Sequence, residues 1–390
     1  MKKMVFTLVL LAAAGFMKLF PQQESGYEAF LITCSPGTET YSIYGHSALR
    51  ITNNSEKKDS VYNWGVFDFS TPHFVWKFAK GRLNYMLDAS SLKNFLEDYY
   101  IEKRSVYEQK INFEPDEIQK LLFLIRENMK PENKYYRYDF FYDDCSTRIR
   151  DIIEKSAGGR IAYPMASEKN QPSFRDKVTE YQMSYPWLNF GIDLIMGTPG
   201  EKKASYRDRM FLPLDLQNEL SEAIINRDGR LVPLLRNPMT LVRFEPAQVK
   251  QSFLETPIFL FSLLFILILA ILSAFRGKTI NRIADITIFS LYSALALLMI
   301  FFNFFTDHIE MQRNLNILWL NPIIPICLAA VILDKKWQAW FRIVFYLSII
   351  SFAIQIIFPH GFNSAFIPLL LILMVRSSAR AGFSWNPLSV

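Results

Sequence analysis

The sequence predicts an α+β soluble domain followed by an all-α transmembrane bundle of about five helices. Three observations predict it. Apolar residues alternate over short runs early in the chain, the period of half-buried strands. Two stretches, 116–129 and 149–153, repeat apolar residues at helical spacing. The last third is almost wholly apolar, in runs near the length that crosses a bilayer. The chain has 390 residues, 51% of them hydrophobic, with a net charge of +6. That length allows two or more domains. Expected bounds are 1–20 for an export signal or anchor, 24–245 for the soluble domain and 254–380 for the membrane domain. With only three cysteines, a disulfide scaffold is excluded. No nucleic-acid-binding motif or strongly basic patch is present.

Lys2-Lys3 and the apolar run from Met4 to Met17 read as a secretory signal, with small residues at Ala12 to Gly15. An uncleaved anchor is the other reading; either way the next domain is exported. No Cys follows the run, so the chain is not expected to be a lipoprotein itself. Residues 30–34 form a strand ended by Pro36-Gly37, and 49–52 and 60–66 form the next two around a polar turn. Residues 91–100 are expected to be helical with Leu92, Phe95, Leu96 and Tyr99 inward, and 105–113 to be a strand. Helix 116–129 buries Leu121, Leu122, Leu124 and Ile125. From 163 to 241 the pattern blurs into short helices and Pro-rich connections. Phe74, Trp76, Phe78 and Tyr85 alternate with Lys77, Lys80 and Arg82. That mixture suits a membrane interface, where rings sit at headgroup level; a half-buried hairpin with a basic edge fits it equally.

The chemistry centres on Cys145. Asp143-Asp144 forms a turn leading into a helix whose apolar face is Ile149, Ile152 and Ile153. Asp151 and Lys155 sit i, i+4 on its wet side, and Gly158-Gly159 stops it. Cys145 thus sits in the first turn, where free N–H groups and the helix dipole favour an anion. A thiolate there is a nucleophile; a small buried packing residue is the alternative. The base would be His46, beside Gly45 at the start of a strand. Asn63 and Asp68 are candidates to orient its ring, and Asn63 lies on the strand expected beside it. His on an early strand and Cys on a later helix is the chain order of permuted papain-like enzymes. Cys34 is a second thiol in an exported domain, and a Cys34–Cys145 disulfide would make Cys145 structural. Arg50, Arg148 and Arg150 are candidates to hold a phosphate or to make surface ion pairs. No cofactor and no metal is called for.

Several strings carry a resemblance. Thr33-Cys34-Ser35-Pro36-Gly37, Gly45-His46-Ser47-Ala48-Leu49-Arg50 and Tyr62-Asn63-Trp64-Gly65-Val66-Phe67-Asp68-Phe69 resemble the Lnb-type lipoprotein N-acyltransferases. So does Tyr138-Asp139-Phe140-Phe141-Tyr142-Asp143-Asp144-Cys145-Ser146-Thr147-Arg148, and the likeness continues through the membrane half. The resemblance implies a periplasmic Cys–His domain in which Cys145 and His46 match the family's pair. It implies a phospholipid acyl donor, a diacylated lipoprotein acceptor and residence in the inner membrane. The family more often has Asn where Asp144 stands, and a carboxylate beside the thiol opposes its ionisation.

Expected spans are 257–275, 284–305, 317–333, 339–358 and the short 362–375, which contains Pro368. Arg276, Lys278 and Arg282 follow the first, Lys335, Lys336 and Arg342 the third, and Arg376 and Arg380 the fifth. Positive-inside puts those exits in the cytoplasm and the soluble domain outside, in agreement with the signal. The outer loops then carry His308, Asn314, Asn316 and His360, with Asn321-Pro322 just inside the next span. His308, Asn314 and Asn316 are candidate substrate-binding residues; an ordinary interfacial loop is the alternative. Cys327 is expected only to pack. The reading is an acyltransferase working through a Cys145 thioester. A periplasmic Cys–His hydrolase and a non-enzymatic lipid-binding protein are the other two classes.

Overall fold

The computed structural model describes residues 26–164, 171–246, 251–275, 277–358 and 361–383. The expected signal, Arg276 and His360 lie outside the described residues.

Alternation in the strands builds a two-sided sheet. Strands β1 (Tyr27–Cys34), β2 (His46–Asn53), β3 (Lys58–Val66), β4 (Asn84–Ser90), β5 (Val106–Lys110), β6 (Tyr135–Arg137) and β10 (Met239–Val242) pair antiparallel in the order β10-β5-β1-β2-β3-β4-β6. Leu31, Leu49 and Trp64 face one side, while Ile32, Ala48 and Val61 face the other. The first side is covered by α3 (Pro115–Met129), α4 (Cys145–Ala157) and α7 (Pro213–Glu222), through Ile118, Leu121, Ile149, Ile153 and Leu216. Phe95 and Tyr99 of α2 (Leu92–Ile101) cover the second. The result is the expected α+β class, a sheet domain followed by a helical region.

Several elements differ from the expectation. The strand expected at 105–113 ends at Lys110, and β4 and β6 extend the sheet beyond β3. The ring-rich segment is a short helix, α1 (Phe74–Ala79), with no buried residue. The stretch after Tyr163 contains α5 (Phe174–Gln182) and α6 (Pro186–Ile195), and it also contributes strands. β8 (Ile224–Arg227) pairs with β9 (Arg230–Pro233) and with β7 (Ile161–Ala162), and β10 returns to the edge of the main sheet. For β10 a partner over a hundred residues earlier, β5, supplies the strand character that local composition lacks, whereas β8 and β9 form a local hairpin.

The helical region contains α8 (Pro257–Ala274), α9 (Lys278–Phe304), α10 (Ile324–Ile332), α11 (Gln338–Ile357) and α12 (Phe366–Arg380). Among the described residues three, α8, α9 and α11, are long and apolar enough to cross a membrane. The third expected span is a short helix, because a 3-10 turn, Leu315–Leu318, and Asn321-Pro322 precede it. Pro368 lies in the first turn of α12, where its missing N–H costs no helical bond. Asp285 of α9 pairs with Arg376 and Arg380 of α12, both at 2.6 Å, tying the two helices together inside the bundle. Cys327 is buried in the bundle core.

Candidate active site

The helix that carries Cys145 starts where its side chains can satisfy the first turn. Asp144 is the N-cap, with extended backbone. Its Oδ1 accepts from Thr147 N–H at 2.7 Å, and its own N–H donates to Thr147 Oγ1 at 2.7 Å. Such a reciprocal cap satisfies donors that a helix start otherwise leaves open. At the far end Gly158 takes the left-handed conformation (φ 63°) and stops the helix. Asp151, expected to pair with Lys155, pairs instead with Arg207 at 2.5 Å.

The first turn of α4 lies against the start of β2. Ser47 Oγ is 3.1 Å from Ser146 Oγ, so the neighbours of His46 and Cys145 are in direct contact. The backbone N–H groups of Ser47 and Ser146, the Ser146 hydroxyl and the Tyr138 hydroxyl all reach the Cys145 sulfur and favour its anion. Burial works the other way and prevails, raising the thiol's pKa. The expected lowering by the helix start is therefore present and outweighed. Tyr138 was not singled out from sequence. A Tyr directly after a three-residue strand shows no periodicity to mark it, and only its place in the Tyr138–Arg148 string points to it.

Gly65 makes room for this corner. It sits at a bulge in β3 between Trp64 and Val66 with φ 89°, where a side chain is strained. A Cβ there would lie 3.3 Å from the Tyr138 ring and 3.8 Å from Cys145 Cβ.

His46 Nε2 is 2.6 Å from Asn63 Oδ1. An amide oxygen accepts, so Nε2 carries the proton and Nδ1 is the free base. Burial lowers the imidazole pKa to about 4, against the opposing pull of the Asn63 bond. Asp68 instead caps its own turn through Ser70 N–H and Oγ, at 2.8 and 2.6 Å. Asp144 is buried beside the thiol, and burial drives its carboxyl well above the usual range. That shift favours the neutral acid, which weakens the like-charge opposition expected from a carboxylate at this position.

Cys34 faces the α2 side of the sheet, directly across from His46 in the β1–β2 register. Cys34 and Cys145 are both free thiols. Burial raises the Cys34 pKa to about 12, offset in part by a hydrogen bond from Tyr99.

The arginines considered for phosphate are engaged. Arg148 holds Asp143 through two bonds of 2.5 and 2.8 Å and lies 3.4 Å over the Tyr136 ring. Arg50 pairs with Asp59 and Glu108, and Arg150 with Asp151 and the Arg207 carbonyl. The outer-loop residues join the two parts of the chain. Asn314 Nδ2 donates to Leu194 O at 2.7 Å, and Asn316 Nδ2 reaches Asp193 O and Leu194 O. Asn363 Nδ2 donates to Asp193 Oδ2 and Asn189 Oδ1. Gly197 lies so close to Gln312 O that a Cβ would overlap it. His308 bonds Phe78 O at 2.8 Å and Glu310 at 3.1 Å. These side chains dock α1 and α6 onto the membrane loops instead of lining the Cys145 corner.

Two family models match the chain. The Lnb N-terminal periplasmic domain matches residues 24–172, and the Lnb transmembrane domain matches residues 248–384. No curated protein and no solved structure matches it. The chain belongs to the Lnb family and is a membrane protein with a periplasmic soluble domain.

Proposed function

We propose that this Lnb-family chain is a multi-pass inner-membrane acyltransferase. In this reading it moves an acyl chain from a phospholipid to the free N-terminal amine of a diacylated lipoprotein. The observation that carries it is the corner itself. A thiol in the first turn of a helix, with N–H groups from two segments at its sulfur, stands beside a strand whose histidine has one nitrogen committed to an amide. In this reading Cys145, His46 and Asn63 serve as a papain-like Cys–His–Asn set.

Cys145 is the nucleophile and His46 Nδ1 the base. With the imidazole pKa lowered and the thiol's raised, the resting pair is neutral, so the proton moves as the sulfur attacks. A carbon–sulfur bond forms at the ester carbonyl. The N–H groups near the sulfur are placed to steady the oxyanion. The carbon–oxygen bond to glycerol breaks, and the glycerol oxygen takes the proton from His46. The lipoprotein amine then attacks the thioester, His46 takes its proton, and the thiol is restored as the amide forms. Asn63 orients the ring throughout.

The test is to trap the thioester. Full-length protein given phospholipid without an amine should gain the mass of one acyl group, and neutral hydroxylamine should remove it. A diacylated lipopeptide with a free N-terminus should take the acyl group as an amide. Cys145→Ser should trap little. Acyl released mainly as free fatty acid in the presence of the lipopeptide would indicate a hydrolase. Unchanged lipoprotein acylation in a Cys145→Ser strain would sink the enzyme reading.

A further inference from the structure

The mechanism leaves unused a row of aromatic rings that begins at the Cys145 corner. Tyr138, whose ring lies with Cys145 Cβ around Gly65, packs on Tyr85 with centroids 4.6 Å apart. Tyr85 meets Phe67 at 5.3 Å, and Phe67 meets Phe74 of α1 at 5.7 Å. Phe74 stacks on Phe78 at 6.3 Å with the planes 9° apart. Each separation lies in the range of interacting rings, so the row is continuous.

Its far end rests on the membrane domain. Trp76 of α1 meets Phe301 of α9 at 5.5 Å. Thr306 Oγ1 donates to Ala79 O and Asp307 N–H to Lys80 O, both at 2.9 Å, and Arg82 pairs with Asp307 at 2.7 Å. Gly81 (φ 67°) lets the two backbone segments of this contact close, since a Cβ there would sit 3.1 Å from His308 N.

Tyr138, Tyr85, Phe67 and Phe74 are half-buried, and the row is uncovered at its outer end, at Phe78 and the residues flanking Phe74. Val75 is 76% exposed and Phe69, against Phe67 and Phe74, is 71% exposed. An exposed apolar patch of this kind marks an interaction surface. What covers it follows from continuity. The patch runs into the outer end of α9, a helix of membrane-crossing length whose Phe304 and Phe305 are also exposed. Lys80 lies over the Trp76 ring at 5.0 Å, giving the edge a cation at the height where rings and headgroups meet.

We infer that α1 lies in the outer leaflet of the bilayer in which α9 sits. The ring row is then the path along which an acyl chain of a bilayer phospholipid reaches Cys145. The path rests on the acyltransferase reading; the seating of α1 does not. A half-buried row that begins at an exposed end lets the chain pass from the bilayer onto apolar rings with few of its methylenes in water, where each is unfavourable.

The experiment uses the full chain in phosphatidylethanolamine and phosphatidylglycerol vesicles. Val75→Cys carries an environment-sensitive fluorophore; Cys34, Cys145 and Cys327 are buried, so labelling is selective. Glu56→Cys, in the turn at the opposite end of β2, is the control. Doxyl-labelled lipid should quench the label at 75 and spare that at 56. Equal quenching at both sites overturns the seating. In the second arm, Phe74→Ala with Phe78→Ala should slow Cys145 acylation by a long-chain phospholipid about tenfold or more, the scale of losing two ring contacts. A short-chain soluble phospholipid should acylate it at the wild-type rate. Equal slowing with both donors overturns the path. Wild type that forms no thioester from either donor, with 75 quenched, ends the transferase reading and the path together and confirms the seating alone.

Discussion

Asparagine does two different jobs in this molecule. Beside the sheet, Asn63 gives its carbonyl to the ring of His46, a group that titrates. At the seam between α6 and the membrane loops, Asn314 and Asn316 give their amides to main-chain carbonyls and Asn363 gives its amide to Asp193 and Asn189. The Asn316 carbonyl is in turn occupied by the Trp319 indole N–H at 3.0 Å. At the seam the network holds shape, because buried main-chain groups must be paired whatever the pH. At the His46 corner an asparagine oxygen accepts instead, and so selects which nitrogen bears the proton. One site therefore should answer to mutation in stability and the other in rate.

The largest expected effect falls on the corner. His46→Ala should lower the rate of Cys145 acylation by about 10²–10⁴-fold, the usual worth of a general base. Its thermal unfolding should stay close to wild type, since no buried backbone group loses a partner. Burst kinetics with a mass readout measure the rate, and near-normal acylation would take His46 out of the mechanism.

The seam should behave in the opposite way. Asn316→Ala leaves the Trp319 N–H and a share of the Asp193 and Leu194 carbonyls unpaired. Each buried orphan costs about 1–3 kcal/mol, so unfolding should shift by that order. Acylation per folded molecule should be unchanged. A normal melting curve with a weakened donor dependence would instead return Asn316 to substrate binding.

Much of this contrast was legible in the chain. The Asp144 cap and the Gly158 stop are local, and they place Cys145 in a first turn without any tertiary information. Strand alternation likewise put Asn63 on the strand beside His46. The docking role of Asn314 and Asn316 was not legible, because it depends on carbonyls of α6 some 120 residues earlier. Polar residues in an outer loop look the same whether they face a ligand or another part of the chain. Tyr138 and β10, which pairs with the distant β5, were missed for the same reason, while the β8–β9 hairpin carried a local signal in Asp228-Gly229 that was passed over. The thiol's pKa was misjudged because the helix start is local and burial is not.

Asn63→Ala sharpens the comparison at a smaller scale. It removes one hydrogen bond that orients a ring, worth about 0.5–1.5 kcal/mol. The rate should fall about tenfold or less, well short of the His46→Ala loss, with unfolding almost unchanged. A loss as large as that of His46→Ala would mean that Asn63 touches the reacting atoms. A drop in stability matching Asn316→Ala would erase the distinction between the two corners.

The last expected effect is the smallest, because it is an absence of change. In an ordinary setting His46 would titrate at 6.5 and lose its basic form by half at that pH; burial lowers its pKa to about 4. The folded protein therefore keeps Nδ1 free through the mildly acidic range. Acylation per folded molecule should stay level from pH 7.5 down to 5.5. Stability should not stay level. The unfolded chain binds a proton at this residue near 6.5, and the folded chain resists binding until about 4. Between those values the unfolded state holds more protons, so stability rises with pH and is lost as pH falls. The His46 share is fully present above 6.5 and is lost progressively toward 4. Rates normalised to the folded fraction separate the two effects. A half-maximal rate near pH 6.5 would show an ordinary, solvated imidazole, and with it a corner more open than the buried one described. A level rate beside falling stability would show that burial, not a charged partner, keeps the base ready.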